Sequence, residues 1–176
     1  MLLEELPTIL KQLRRGPLVG PDDGVRVEHG VSAIERMLPH RDPLRLIDCI
    51  DRVDLECPAV CGRRALRADD PVFEGHFPGD PVYPGVLVVE AMGQLAATLT
   101  HFVGHGAADV PESTVPRPLR ATRIHHAAFF APFVPGDTMC LHAAVLDDSW
   151  TLIAAAQAYR NDELAAVAVM EVLTHD

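Results

Sequence analysis

The sequence predicts an α+β domain in which a curved antiparallel β-sheet wraps around one long central helix. Residues 85–104 are apolar on nearly every side at helical spacing, which is typical of a buried helix. Two short strand-like segments precede this helix, and several longer ones follow it without another long helix between them. Because a single helix needs a large sheet to cover most of its surface, we expect the sheet to curve around it.

Residues 1–30 are predicted to form an N-terminal arm or linker, and residues 31–176 are predicted to form the main domain. The segment 2–14 has the spacing of a short amphipathic helix that Pro7 bends or breaks, and GPLVGPDDG after it is typical of a linker. The apolar residues on one side of this helix are Leu2, Leu6, Ile9, Leu10 and Leu13. We expect the arm to cover an apolar patch of the domain or to contact a neighbouring subunit.

The segments before the long helix are predicted, in order, as a short helix, a hairpin and an irregular loop. Ser32 and Glu35 have the spacing of a capping box for a helix that ends at Pro39. Residues 46–55 and 59–68 are rich in strand-forming residues and are expected to pair as a hairpin. The prolines within residues 69–84 argue against a regular helix or a central strand there, and they restrict the backbone.

The long helix is predicted to carry one polar stripe, which consists of Glu90, Gln94, Thr98 and His101. After the helix, residues 117–131, 138–148, 150–160 and 163–173 are predicted to be strands of an antiparallel meander. Turns are predicted at residues 132–137 and at 161–162. One central helix inside a curved antiparallel sheet is the hot-dog fold.

Composition argues against several classes of function. The net charge of -10 argues against generic binding to nucleic acid or to anionic membranes. No segment has the roughly 18 uninterrupted apolar residues of a transmembrane helix, and the acidic N-terminus does not resemble a secretory signal. Neither the cysteines nor the histidines have the spacing of metal ligands. We therefore expect a cytoplasmic protein with reduced thiols and no bound metal.

Two clusters of arginines are candidate contacts for a local acidic partner, although solvated arginines on strands are the favoured interpretation of either cluster taken alone. The first cluster consists of Arg63, Arg64 and Arg67. The second cluster consists of Arg117, Arg120 and Arg123.

The segment FEGHFPGDPVYPGVLVVEAMGQ, residues 73–94, combines groups suited to proton transfer beside a carbonyl group. His76 lies in a loop made stiff by prolines and glycines, which favours a well-positioned base. Glu90 is a lone carboxylate in an apolar helix, a setting suited to proton transfer. Gly85 begins the helix, where free backbone N–H groups can bind an oxygen. This pattern alone also allows His76 to be an ordinary surface histidine. It equally allows Glu90 to lie at a subunit interface or on the surface, paired with an arginine.

Within this segment, GHFPGDPVYPGVLVVEAMGQ closely resembles the signature of the 3-hydroxyacyl-[acyl-carrier-protein] dehydratases of the FabZ type. IERMLPHRDPLRLID is similar to the opening helix and LPHR turn of that family, and FFAPFVPGDTM is similar to its strand–PGD–strand turn. The resemblance covers roughly Ile34 to Val172. Glutamate at position 90 is typical of the FabZ branch, which only dehydrates, whereas the related FabA branch has aspartate and also isomerises the double bond.

The resemblance implies an enzyme that reversibly removes water from a 3-hydroxyacyl thioester to give the trans-2-enoyl thioester. His76 would remove the proton next to the thioester carbonyl, and Glu90 would help the hydroxyl group leave. The backbone N–H groups of Gly85 and Val86 would hold the thioester oxygen. No metal or redox cofactor is implied. The substrate would arrive on the phosphopantetheine arm of an acyl-carrier protein.

The resemblance also implies a homodimer, which in this family is often assembled into a trimer of dimers. Each active site would be shared, with His76 from one subunit and Glu90 from the other. The residues expected to contact the substrate in addition are Phe77 and Gln94. The residues expected to dock the acidic carrier protein are Arg120 and Arg123.

Several positions depart from the pattern of the family. Asp42 and Leu44 stand where aromatic residues are usual, and Arg45 replaces an apolar residue. Residues 126–130 lack the basic residues usual before the PGD turn, and the N-terminal arm is additional. These departures favour a specialised homologue, in fatty acid synthesis or in a polyketide, aryl-polyene or other secondary lipid pathway. A hot-dog acyl thioesterase and a non-catalytic acyl-binding subunit are the alternative interpretations.

Overall fold

Seven antiparallel strands form one sheet in the computed structural model, which describes residues 2–174 except for the side chains of residues 2, 3 and 174. The strands are β1 (Val25–His29), β2 (Cys49–Asp54), β3 (Ala59–Ala65), β4 (Leu119–Phe129), β5 (Thr138–Asp147), β6 (Leu152–Arg160) and β7 (Glu163–Thr174). The helices are α1 (Leu2–Leu13), α2 (Val31–Met37), α3 (Val72–Gly75) and α4 (Gly85–His105). The strand order is β1-β2-β3-β5-β6-β7-β4, so the predicted α+β hot-dog architecture is confirmed.

Helix α4 is the central helix that the sequence predicts. Most of its residues are buried, and it packs against β3, β4, β5, β6 and β7. It is the one helix within residues 2–174 that is long and apolar enough to cross a membrane, and its burial identifies it as the core helix of the domain. The helix continues through Gly104, where the sequence predicted its end. It stops instead at Gly106, which takes the left-handed conformation (φ 69°) that favours glycine after a helix.

Strand β4 differs from the predicted meander. It pairs with β7 at the end of the sheet rather than with β5, its neighbour in sequence. Strand β5 has β3 on one side and β6 on the other, so the free edge of β7 is the place left for β4. The predicted turn between β6 and β7 is confirmed, because Asn161 and Asp162 both have positive φ (48° and 65°), as a two-residue hairpin turn requires.

The segments before the central helix differ from the prediction in two details. Gly30 rather than Ser32 precedes the first turn of α2, and its carbonyl oxygen accepts the N–H groups of Ala33 and Ile34. The hydroxyl of Ser32 instead accepts a hydrogen bond from Arg36. The proline-rich loop contains the single helical turn α3, which the prediction did not include. The predicted hairpin is confirmed as β2 and β3.

The N-terminal segment is part of the packed structure. Strand β1 pairs with β2, so the sheet begins inside the segment predicted to be an arm, and the boundary predicted at residue 30 differs from the structure. Helix α1 covers the outer face of the sheet, where Leu13 packs with Ala155, Val167 and Val169. The side chain of Leu2 lies outside the described part of the chain, whereas the other predicted apolar positions of α1 face this patch.

Gln157 on β6 ties this helix to the sheet by hydrogen bonds. Its side-chain oxygen accepts the N–H of Leu18 at 2.7 Å. Its amide nitrogen donates to the carbonyl oxygens of Leu13 at 2.7 Å and Gly16 at 2.8 Å. The amide is buried, so each of these bonds replaces a contact with water.

Replacement of Gln157 by leucine is expected to lower the free energy of unfolding by roughly 2–3 kcal/mol, because it leaves three backbone groups of the N-terminal segment without partners. Urea unfolding measures this loss, and hydrogen exchange at residues 13–18 should become faster. Gln12→Leu, an exposed change on α1, is the control and should change stability by less than about 0.5 kcal/mol. Unchanged stability and exchange in Gln157→Leu would show that apolar contacts alone hold α1.

Candidate active site

His76 is held in place by the backbone of the loop before α4. Its Nδ1 lies 2.8 Å from the carbonyl oxygen of Val82, and the N–H of Val82 donates back to the carbonyl oxygen of His76 at 2.8 Å. Because a carbonyl oxygen can only accept, Nδ1 carries the proton, and Nε2 of the neutral ring is left as a proton acceptor. Val82 therefore fixes both the position and the tautomer of the imidazole.

Phe77 packs against the imidazole of His76. The two rings stack with centroids 3.9 Å apart. The Phe77 side chain is half exposed and is not among the residues that line the cavity beside His76. Within this chain Phe77 is therefore a packing partner of His76, and its predicted contact with a substrate stays a prediction.

A cavity of about 560 Å³ opens beside His76. Its walls come from the loop before α4, the first turn of α4, the end of β4 and residues 130–133. Apart from His76 they are largely apolar, and the volume is in the range of small-molecule sites. Tyr83 also lines the cavity, and burial raises the pKa of its hydroxyl, so it stays protonated at neutral pH and does not act as a base.

The first turn of α4 presents two free backbone donors at this cavity. The N–H groups of Leu87 and Val88 donate to the carbonyl oxygen of Pro84, whereas those of Gly85 and Val86 have no acceptor among the described residues. Gly85 and Val86 both line the cavity. Such N–H groups can bind an oxygen that gains negative charge.

Gly85 also keeps the cavity open. A Cβ atom at this position would lie 3.0 Å from the ring of Phe129, which forms another part of the wall. Any side chain here would have to displace that ring, so glycine allows a ligand to approach the backbone closely.

Glu90 lies in the second turn of α4, in a separate cavity of about 220 Å³. Its Oε1 accepts a hydrogen bond from Nε2 of Gln94 at 2.8 Å and lies 3.5 Å from Nε2 of His40. The Glu90 side chain is 45% exposed. The sequence predicted a buried carboxylate, and the structure shows that one chain alone does not bury it.

Gln94 holds this carboxylate and also lines the Glu90 cavity, and its predicted contact with a substrate stays a prediction. Besides the bond to Glu90, its amide nitrogen donates to the carbonyl oxygen of Leu44 at 2.8 Å. Its oxygen accepts the N–H of Leu46 at 2.8 Å. Both donors of the amide are therefore engaged, and they join α4 to the loop that carries His40.

His40 is a site residue that the sequence did not assign. The LPHR segment entered only as part of a resemblance, which gave this histidine no role. Its Nε2 faces Glu90, and its Nδ1 is buried with no hydrogen-bond partner among the described residues. The spacing of 50 positions between the two residues offers no local signal that they meet.

Arg45 stabilises the loop between His40 and β2 from within. The residue is buried, and its guanidinium lies 3.5 Å from a carboxylate oxygen of Glu35, 3.1 Å from Asp42 and 3.5 Å from Asp48. It also donates to the carbonyl oxygen of Ile47 at 2.7 Å. The surrounding carboxylates offset the cost of burying this charge at a position that is usually apolar in the FabZ type.

His76 and Glu90 do not share a cavity within one chain. Val86 lines both cavities, but the cavities lie toward opposite ends of β4. The His76 cavity includes Phe129 at the end of the strand, and the Glu90 cavity includes Leu119 at its start. Strand β4 is also an edge of the sheet, so its outer side has no partner strand among the described residues.

The two arginine clusters behave differently. Arg120 and Arg123 are exposed on β4, and neither forms an ion pair within residues 2–174. Arg120 lies near the Glu90 end of the strand. Nine residues separate it from Phe129, which is about 30 Å along the strand at a rise of roughly 3.3 Å per residue. Arg63 and Arg64 are instead paired with aspartates in β2, just before β2 and after β3. Among the described residues, no group of acidic, histidine and cysteine side chains is placed to bind a metal ion.

Comparison with known proteins gives the family. Residues 38–169 match the FabA-like domain. A FabZ 3-hydroxyacyl-[acyl-carrier-protein] dehydratase of Desulforamulus reducens is 38% identical over 145 residues, which cover 78% of this chain and 92% of that protein. A protein of the same name from Rickettsia felis is 38% identical over 115 residues, which cover 65% of this chain and 74% of that protein.

Solved structures agree on the fold. The dehydratase heterocomplex ApeI:P from Xenorhabdus doucetiae aligns with a TM-score of 0.63 at 16% identity, covering 81% of this chain and 91% of the other. Cj0977, a virulence protein of Campylobacter jejuni, aligns with a TM-score of 0.56 at 13% identity, covering 83% and 88%. At such low identity these two structures support the fold alone. The family match and the identity to FabZ proteins together show that the chain belongs to the FabA-like family.

Proposed function

We propose that this protein is a 3-hydroxyacyl-[acyl-carrier-protein] dehydratase, which reversibly converts a 3-hydroxyacyl thioester into the trans-2-enoyl thioester and water. The observation that carries the proposal is the cavity at His76, where a proton-accepting Nε2 lies in the same apolar space as two free N–H groups of α4. The name and similarity of the FabZ relatives support the same reaction. The pathway is fatty acid synthesis or a related polyketide or secondary lipid pathway.

The first step is removal of the proton on the carbon next to the thioester carbonyl. Nε2 of His76 accepts this proton while Nδ1 keeps its bond to Val82. Negative charge then develops on the thioester oxygen, and the N–H groups of Gly85 and Val86 stabilise it. The apolar walls of the cavity strengthen these interactions, because they keep the local dielectric constant low.

The second step is departure of the hydroxyl group from the adjacent carbon. The carboxyl group of Glu90 protonates this hydroxyl as the carbon–oxygen bond breaks, so that the group leaves as water. Gln94 and His40 hold the carboxyl in position. The proton on His76 then returns to Glu90 through solvent, which resets both residues for the next turnover.

The complete site is proposed to form between two chains of a homodimer. Antiparallel pairing of two β4 edges about a two-fold axis near the middle of the strand would extend the sheet across both subunits. It would bring the Phe129 end of one strand against the Leu119 end of the other. The His76 cavity of one chain would then adjoin the Glu90 cavity of its partner, and exposed apolar residues such as Ile124 would become buried. Further assembly of three dimers is proposed on the family resemblance.

The substrate is proposed to arrive on the phosphopantetheine arm of an acyl-carrier protein. In the proposed dimer, Arg120 of one chain lies toward the His76 cavity of the other, which supports its role in docking this acidic protein. Arg123 lies nearer the two-fold axis, and its docking role is proposed on the family resemblance alone. The proposed steps use side chains and backbone groups alone, so we propose no metal or redox cofactor. A cytoplasmic location suits the free cysteines, and the negative net charge argues against nucleic acid or membrane partners.

A single assay tests the function. With a 3-hydroxyacyl thioester of acyl-carrier protein as substrate, we expect the ultraviolet absorbance of the conjugated enoyl thioester to rise. The reverse reaction should hydrate the enoyl thioester. Release of free thiol without the enoyl product would show a thioesterase instead, and tight binding of the acyl group without either product would show a non-catalytic acyl-binding protein.

A further inference from the structure

The C-terminal end of α1 lies at the mouth of the His76 cavity. The guanidinium carbon of Arg14 is 4.9 Å from the centre of the Phe130 ring, which is the geometry of a cation over an aromatic face. Phe130 lines the cavity and is 44% exposed, so this contact lies where the cavity meets solvent. The additional N-terminal segment therefore reaches the entrance to the proposed active site.

Three cations gather at this end of the helix. Lys11, Arg14 and Arg15 are exposed, and none of them forms an ion pair within residues 2–174. Lys11 lies in the last turn of α1, and Arg14 and Arg15 lie in the turn that directly follows Leu13, where the N–H of Arg15 donates to the carbonyl oxygen of Gln12 at 2.9 Å. The whole chain carries a net charge of -10, so an uncompensated positive cluster is a local exception on an acidic protein. Such a cluster directs a negatively charged partner to one place on the surface.

The fold holds this cluster rigidly. Gln157 bonds to the carbonyl oxygens of Leu13 and Gly16, which lie on either side of the two arginines. Leu13 itself is 2% exposed and packs into the outer face of the sheet. Charges on a fixed element lose little entropy when a partner binds, so they are suited to docking.

We propose that Lys11, Arg14 and Arg15, here called the α1 cluster, form a docking surface for the acidic face of the acyl-carrier protein. This inference rests on the proposed function. A partner bound there would place its phosphopantetheine arm beside Phe130, from where the thioester enters the His76 cavity. Lys11 precedes Arg14 by three residues and lies inside the last turn of α1, whereas Arg14 follows the end of the helix. The cluster therefore extends along α1 beyond the cavity mouth, which favours a protein surface with several carboxylates over a single phosphate.

The double variant Lys11→Glu/Arg15→Glu tests this surface, because neither side chain forms a hydrogen bond or an ion pair within residues 2–174. The same 3-hydroxyacyl group is offered on acyl-carrier protein, on phosphopantetheine and on pantetheine without the phosphate. We expect kcat/KM for the carrier-protein substrate to fall roughly tenfold or more at low salt. The values for the two small substrates should stay unchanged. Added salt should weaken the wild-type reaction with carrier protein more than that of the variant.

The control is Arg26→Glu/Arg52→Glu, which changes the net charge equally on β1 and β2 at the opposite edge of the sheet and also removes the hydrogen bond from Arg52 to the carbonyl oxygen of Asp23. It should change kcat/KM for the carrier-protein substrate less than about twofold. Lys11→Gln/Arg15→Gln should give an intermediate loss, and it keeps the test valid if the charge reversal impairs folding.

Three results would overturn the α1 cluster as a docking surface. The first is an equal loss of kcat/KM with the phosphopantetheine substrate, which would indicate a phosphate site. The second is an equal loss of kcat/KM in the control variant. The third is an unchanged kcat/KM in the α1 variants. A wild-type protein that dehydrates none of the three substrates would instead overturn the proposed function. The two failures are therefore distinguishable.

Discussion

Replacement of Glu90 by glutamine is expected to lower kcat for dehydration by about 10²–10⁴-fold, the usual contribution of a general acid. Glutamine has nearly the same shape and can still accept the hydrogen bond from Gln94, so the fold and the loop that carries His40 should be preserved. What the variant cannot do is transfer a proton to the departing hydroxyl group. KM should change little, because the loss occurs in the transition state rather than in binding.

The measurement is the rate of enoyl thioester formation together with the thermal unfolding temperature. Glu74→Gln, an exposed change on α3, is a control that removes the same charge outside both cavities. It should leave kcat within about twofold of the wild-type value. Full activity of Glu90→Gln, with unchanged folding, would remove Glu90 from the mechanism.

The sequence predicts most of the elements because their signals are local. The apolar periodicity of residues 85–104 and the turn at Asn161 and Asp162 depend on near neighbours in the chain. The position of β4 beside β7 is different, since it depends on which sheet edge remains free after β3, β5 and β6 have paired. Strand β1 was missed because it is five residues long, largely exposed, and preceded by a segment rich in glycine and proline.

The site was predicted in part for the same reason. His76, Gly85 and Glu90 lie within one short motif, whereas the contact between Glu90 and His40 joins segments far apart in sequence. Their distribution over two cavities is a property of the folded chain, and no spacing along the sequence indicates it. The contact at the cavity entrance also joins distant parts of the sequence, because Arg14 meets Phe130 only once α1 has packed on the outer face of the sheet.

Because the two cavities are separate in one chain, two inactive variants are expected to restore activity when they are combined. His76→Asn removes the base and Glu90→Gln removes the acid, so each homodimer should have only a small residual rate. In a mixed dimer, one site receives His76 from the Glu90→Gln subunit and Glu90 from the other, and is therefore intact. The second site of the same dimer carries both substitutions.

Random mixing of equal amounts makes half of the dimers mixed, and each mixed dimer has one working site in two. The mixture, co-refolded or co-expressed, should therefore reach about a quarter of the wild-type rate, which is far above the sum of the separate variants. The double variant His76→Asn/Glu90→Gln mixed with the wild type is the control and should give about a quarter of the rate of the same total amount of wild-type protein, because both sites of each mixed dimer then lack one of the two residues. If the mixture stays at the residual rate while mixed dimers are shown to form, each site is built within one chain. The proposed pairing of β4 edges would then not be what completes the site, and the path from His76 to Glu90 would have to run past Val86 within a single subunit.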